Sequence, residues 1–87
     1  MDLAAAIQER LAVLDPVSIE LLDESGRHVG HKGAESGGSH FRLAIVSTRF
    51  AGMDKLARHR MIYAALGALM QREIHALAIN ARTPDEL

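Results

Sequence analysis

Five histidines carry most of the coordination chemistry open to this chain, which has no cysteine. Three of them, His28, His31 and His40, lie in one stretch, ESGRHVGHKGAESGGSHF, running from Glu24 to Phe41. That stretch also holds five of the seven glycines. Neutral imidazole is a good ligand for zinc, copper, nickel or iron. His28 and His31 stand three apart, a common chelating spacing, and His75 is placed to close a site if the fold brings it near. A mononuclear zinc site needs three or four protein ligands, and no Asp or Glu is spaced to complete one convincingly here. Two imidazoles can instead form half of a site shared with another protein. In Rieske centres two histidines replace two thiolates on one iron of a 2Fe–2S cluster.

Blander roles stand beside these. A histidine in a glycine-rich loop is commonly solvated and idle. His40 alternates out of phase with Phe41 and reads as solvent-facing. His75 shares the parity of Leu77 and Ile79, so it reads as half-buried, turned toward a helix layer. A phosphate cradle is another reading, because Gly30-His31-Lys32-Gly33 matches the GXXG loop of nucleic-acid-binding KH domains. In those domains the loop joins two helices and a helix N-terminus helps hold the phosphate. Here it joins two strand-like runs, so the match carries little weight. Catalysis has weaker support still. No serine sits in a G-x-S-x-G elbow, and Asp23 and Glu24 read as the end of a strand and a turn cap.

One basic cluster is notable. Lys55, Arg58, His59 and Arg60 fall near the start of an amphipathic run, where they form either a solvated face or a contact for phosphates or an acidic partner. The formal net charge is −1 and the pI near 6.5, which argues against a chain coated in positive charge for nucleic acid or anionic lipid. The absence of cysteine excludes disulfides and any cluster held by this chain's own thiolates. No apolar run approaches the ~20 residues of a membrane span. MDLAAAIQERL lacks a basic leader, so a cytoplasmic location is expected.

The elements that must position these residues follow from periodicity. Asp2 can cap a helix whose stripe is Leu3, Ile7, Leu11 and Leu14, and Pro16 ends it. VSIELLD alternates as a half-buried strand, with Val17, Ile19 and Leu21 in phase. FRLAIVST does the same with Phe41, Leu43 and Ile45. The two strands are expected to pair antiparallel across the long loop. Phe50-Ala51-Gly52-Met53 is a turn, and Asp54 caps a helix expected to run to about Glu73. Its buried stripe is read as Leu56, Tyr63, Leu66 and Met70, with Ile62 and Leu69 beside them. HALAINA is a third strand, and Thr83-Pro84-Asp85-Glu86 is a helix start. Helix, strand, strand, helix, strand is an α+β order, with helices layered on a small mixed sheet. With 87 residues there is length for one small domain. A parallel crossover between the second and third strands would start both at the same end of the sheet. His75 would then sit beside the histidine-bearing loop.

Taken together, DESGRHVGH (Asp23–His31), SHFRLAIVSTRFAG (Ser39–Gly52), RHRMIY (Arg58–Tyr63) and IHALAINARTP (Ile74–Pro84) resemble the BolA-like family. The resemblance runs from about Val17 to Glu86 and implies a single domain with a class II KH-like fold. It also implies a partner, a monothiol glutaredoxin of the CGFS type. The heterodimer would hold a 2Fe–2S cluster, with thiolates from the glutaredoxin and its bound glutathione. The IHAL histidine, His75, would be one ligand from this chain. The other would come from the loop, where the ESGxH position maps onto His28, with His31 and His40 as alternates. Some members carry a cysteine in that loop; this chain looks like the histidine type. Two imidazoles in place of two thiolates would raise the cluster's reduction potential, and cluster binding would weaken as falling pH protonates them. The family also includes transcriptional regulators, so DNA binding through Lys55, Arg58, His59 and Arg60 is the alternative. Neither reading makes the chain an enzyme.

Overall fold

The computed structural model describes residues 2–25 and 39–87. His28 and His31 therefore lie outside the described residues. Helix α1 spans Leu3–Leu11, and Asp2 caps it by accepting the Ala5 N–H at 3.1 Å. A 3-10 turn, Ala12–Leu14, continues it to Asp15, which takes a left-handed conformation just before Pro16. Strand β1 (Ser18–Asp23) pairs antiparallel with β2 (His40–Val46), from Ser18 opposite Val46 to Asp23 opposite Phe41. A second 3-10 turn, Thr48–Phe50, leads into helix α2 (Lys55–Leu66), capped by Asp54. After a short helix α3 (Ala68–Arg72), strand β3 (Ala76–Arg82) pairs parallel with β2. The sheet order is β1-β2-β3. The α+β architecture read from the sequence is the one the structure adopts.

One face of the sheet meets the helices. Phe41, Leu43 and Ile45 from β2 are buried there with Ile7, Leu11, Phe50, Ile62, Leu66, Leu69 and Ile74. Ser47, fully buried, joins the 3-10 turn after α1 to the end of β2 by donating its hydroxyl to the Leu14 carbonyl at 2.6 Å. Among the described residues, no helix is long and apolar enough to cross a membrane.

The second helix differs from its reading. It does not run unbroken to Glu73, because Gly67 adopts φ +56° and ψ −129° and divides it into α2 and α3. That backbone region is open to glycine and strained for residues with a Cβ. The buried stripe also shifts. Leu56 and Tyr63 are exposed, at 58% and 42%, and Met70 is half-buried; Ile62, Leu66 and Leu69 face the core. Ile62 and Tyr63 both stand at helical spacing from Leu66, so periodicity alone could not choose between them. The break at Gly67 resets the phase and turns Leu69 inward instead of Met70. At the N-terminal strand, β1 begins at Ser18 and the Val17 side chain is exposed.

Candidate functional site

The first residues of β2 and β3 lie side by side, with a histidine opening β2 and another directly preceding β3. His40 begins β2 and stands opposite Ala76, the first residue of β3; His75 directly precedes Ala76. The Ser39 carbonyl accepts the N–H groups of both His75 and Ala76, at 2.9 and 3.0 Å. From the other side, the His40 N–H donates to Ser25 Oγ at 3.0 Å, and its carbonyl accepts the Glu24 N–H at 2.7 Å. Asp23 anchors this corner by accepting the Ser25 N–H at 2.9 Å. Hydrogen bonds from the Ser25 side chain and backbone hold the Asp23 carboxyl below its usual range. Glu24 meets Arg42 at 3.3 Å. Ser25 and Ser39, which flank the segment bearing His28 and His31, thus both sit at this end of the sheet.

Here the rings of His40 and His75 approach to 5.1 Å between centroids, tilted by 42°. The expected neighbourhood of His75 and the loop's end is borne out, but two details differ. His75 lies one residue before β3 rather than inside it, and its side chain is exposed. Helix α3 ends at Arg72, and the pleat that would turn the ring inward starts only with Ala76. His40, read as solvent-facing, is half-buried beside it. Among the described residues no group of three or more His, Asp or Glu side chains gathers to hold an ion. His40 and His75 together offer two imidazole donors at an accessible corner. That donor set fits the two-histidine side of a cluster iron.

The basic cluster is at the opposite end of β3, and its members have different fates. Arg58 is not on a solvated face. Its guanidinium donates to the Met53 carbonyl at 2.9 Å and the Ala81 carbonyl at 3.0 Å, and makes a bidentate pair with Glu86 at 2.6 and 2.9 Å. It also lies 5.9 Å from the centroid of the Phe50 ring. Glu86 in turn accepts the Thr83 N–H at 2.8 Å, closing the 3-10 turn Pro84–Glu86. The Arg58 guanidinium, then the Thr83 N–H, hold the Glu86 carboxyl down at about 2. Lys55 and Arg60 remain exposed, and His59 is half-buried with its ring edge-on to Tyr63 at 6.5 Å. The partnership with Glu86 had no sequence signal beyond opposite charge, since 28 residues separate the two.

Residues 11–86 match the family model described as BolA-like protein. The chain belongs to the BolA-like family. Bovine BolA-like protein 1 is 48% identical over 81 residues, covering 92% of this chain and 58% of its own length. The chain therefore spans little more than half of that relative. The Escherichia coli protein named DNA-binding transcriptional regulator BolA is 44% identical over 81 residues, covering 92% of this chain and 74% of its own. Among solved structures, the BolA domain of SufE1 from Arabidopsis thaliana superposes with a TM-score of 0.84 at 41% identity, covering 100% of this chain and 98% of that one. Mouse BolA1 gives 0.80 at 44% identity, covering 99% and 68%. The BolA-like relatives are named as BolA-like proteins or as a regulator, not as enzymes.

Proposed function

We propose that this BolA-like protein works in the cytoplasm as the partner of a monothiol glutaredoxin and supplies two histidines to a shared 2Fe–2S cluster. His75 is one ligand. The second is a histidine of the adjoining segment, His28 by its position in the motif, with His31 and His40 as alternates. The observation that carries this reading is the contact between His40 and His75 at the corner from which that segment departs. When bound, the cluster would supply one-electron chemistry or transferable iron and sulfide. The chain's own part is to present neutral imidazole nitrogens from a fixed backbone. The Ser39 carbonyl sets the path of His75, while Ser25 and Glu24 set that of His40.

A test is reconstitution with a CGFS-type glutaredoxin, glutathione, iron and sulfide, followed by visible circular dichroism. A spectrum distinct from that of the glutaredoxin alone, and lost in His75→Ala, supports the shared cluster. An unaltered glutaredoxin spectrum rejects it. The second reading, DNA binding through Lys55, His59 and Arg60, is favoured by the name of the E. coli relative. Because Arg58 is engaged with Glu86, its role there would be to hold the helix end. Binding to phosphates would fall steeply with salt, whereas cluster ligation would not.

A further inference from the structure

Strand β3 closes one side of the sheet, and among the described residues no strand pairs with its outer edge. The ladder shows which backbone groups point outward. The Ala76 N–H donates to Ser39, and the Arg82 carbonyl accepts the Ser47 N–H, so Ala76, Ala78, Asn80 and Arg82 turn toward β2. Leu77, Ile79 and Ala81 alternate with them and turn to the outer edge. The Ala81 carbonyl agrees, because its partner is Arg58 rather than β2. The sheet leaves the N–H and C=O of Leu77 and Ile79, and the N–H of Ala81, on that edge.

A cleft of about 460 Å³ runs beside it, lined by Ile79, Asn80, Ala81 and Arg82 and, across from them, by Lys55 and His59 of α2. Successive residues of a strand point to opposite faces. The cleft reaches the strand's edge, because Arg58 in its lining bonds the outward-turned Ala81 carbonyl. The lining is cationic: Lys55, Arg58 and Arg82 stand against one carboxylate, Glu86, which is already bidentate on Arg58. Asp54 and Asp85 act on Arg58 as neighbouring charges but do not line the cleft. The Asp54 carboxylate caps its own helix through the Ala57 N–H at 2.8 Å. This cationic lining belongs to a chain whose net charge is −1.

We propose that the β3 edge is a docking site for an extended, acidic segment of a partner protein, which adds as a fourth strand. Its main chain bonds to Leu77 and Ile79 and to the Ala81 N–H, and its acidic side chains meet Lys55 and Arg82. Exposed edges are commonly blunted by charge. Here Arg58 covers only the Ala81 carbonyl and so marks where the added strand stops.

The probe is a fluorescein-labelled octapeptide of alternating Glu and Val, followed by anisotropy. A Lys–Val peptide and a labelled DNA duplex are run in parallel. The acidic peptide should bind and the basic one should not, and Lys55→Glu with Arg82→Glu should weaken binding about tenfold or more. Both altered side chains are exposed, so the fold should tolerate the change. Amide exchange followed by NMR needs no variant. Leu77, Ile79 and Ala81 should exchange rapidly in the free protein and about tenfold more slowly with peptide, while Ala78 and Asn80 stay slow throughout. Peptide binding without slowed exchange at those three amides overturns the proposal. So does failure of the peptide to bind while the duplex binds and is lost in the charge-reversal variant, which would make the cleft a nucleic-acid groove. Self-association of the native chain that itself protects those amides would assign the edge to a second copy instead.

Discussion

The two ends of β3 are built on opposite plans. At its start, backbone hydrogen bonds fix His40 and His75, and their two rings meet at an accessible corner. At its finish, the side chains themselves are clasped: Arg58 ties Met53, Ala81 and Glu86 together above the fully buried Phe50. A guanidinium with several fixed acceptors organises a turn, whereas the two imidazoles meet ring to ring at a corner set by the backbone on either side. The contrast places a structural clasp at one end and, on the proposed function, the coordinating histidines at the other. It also explains why a cluster of basic residues is a poor guide by itself. Arg58 and Arg60 are two positions apart on one helix, yet the first is a fastener and the second a solvated charge.

The contrast can be pressed by substitution. Phe50→Ala should have the largest effect on folding, about 3–5 kcal/mol, as expected for removing a large buried aromatic; chemical denaturation measures it. Arg58→Ala should lower the melting temperature by several degrees, because two backbone carbonyls and a carboxylate lose their partner together. Calorimetry of Arg58→Ala beside Arg60→Ala would separate the two, and an equal loss in both would undo the distinction.

Acid should loosen the clasp selectively. The Glu86 carboxyl is held at about 2, below its ordinary 4.5. Its contribution to stability is therefore fully present above about pH 4.5 and is lost as pH falls toward 2. NMR shifts of Thr83–Glu86 across that window should report it, and should flatten in Arg58→Ala. The smallest stability effect belongs to His75→Ala, within about 0.5 kcal/mol for an exposed side chain. A large loss of stability in this variant would show the histidine corner to be structural.

Much of the fold was legible because short strands declare themselves by alternation. Phe41, Leu43 and Ile45 gave away β2, and the length of the connection after it implied the parallel partner that brings His75 to the loop's end. Less legible were features that no period encodes. The left-handed backbone at Gly67 depends on one residue, and the choice of Ile62 over Tyr63 depends on how α2 rolls against the sheet. The Arg58–Glu86 pair joins residues with no local pattern between them. At the site, topology predicted the neighbourhood of His75 but not its exposure, because the first pair of the β2–β3 ladder falls one residue later. His28 and His31 lie outside the described residues.

The most direct measurement is pulsed EPR of the reduced complex with a CGFS-type glutaredoxin, using this chain labelled with nitrogen-15 on histidine only. Strongly coupled nitrogen-15 from two imidazoles of this chain is expected, reduced to one in His75→Ala. A reduced cluster showing no coupling to labelled histidine would contradict the histidine assignment and leave this chain with no imidazole ligand to the cluster.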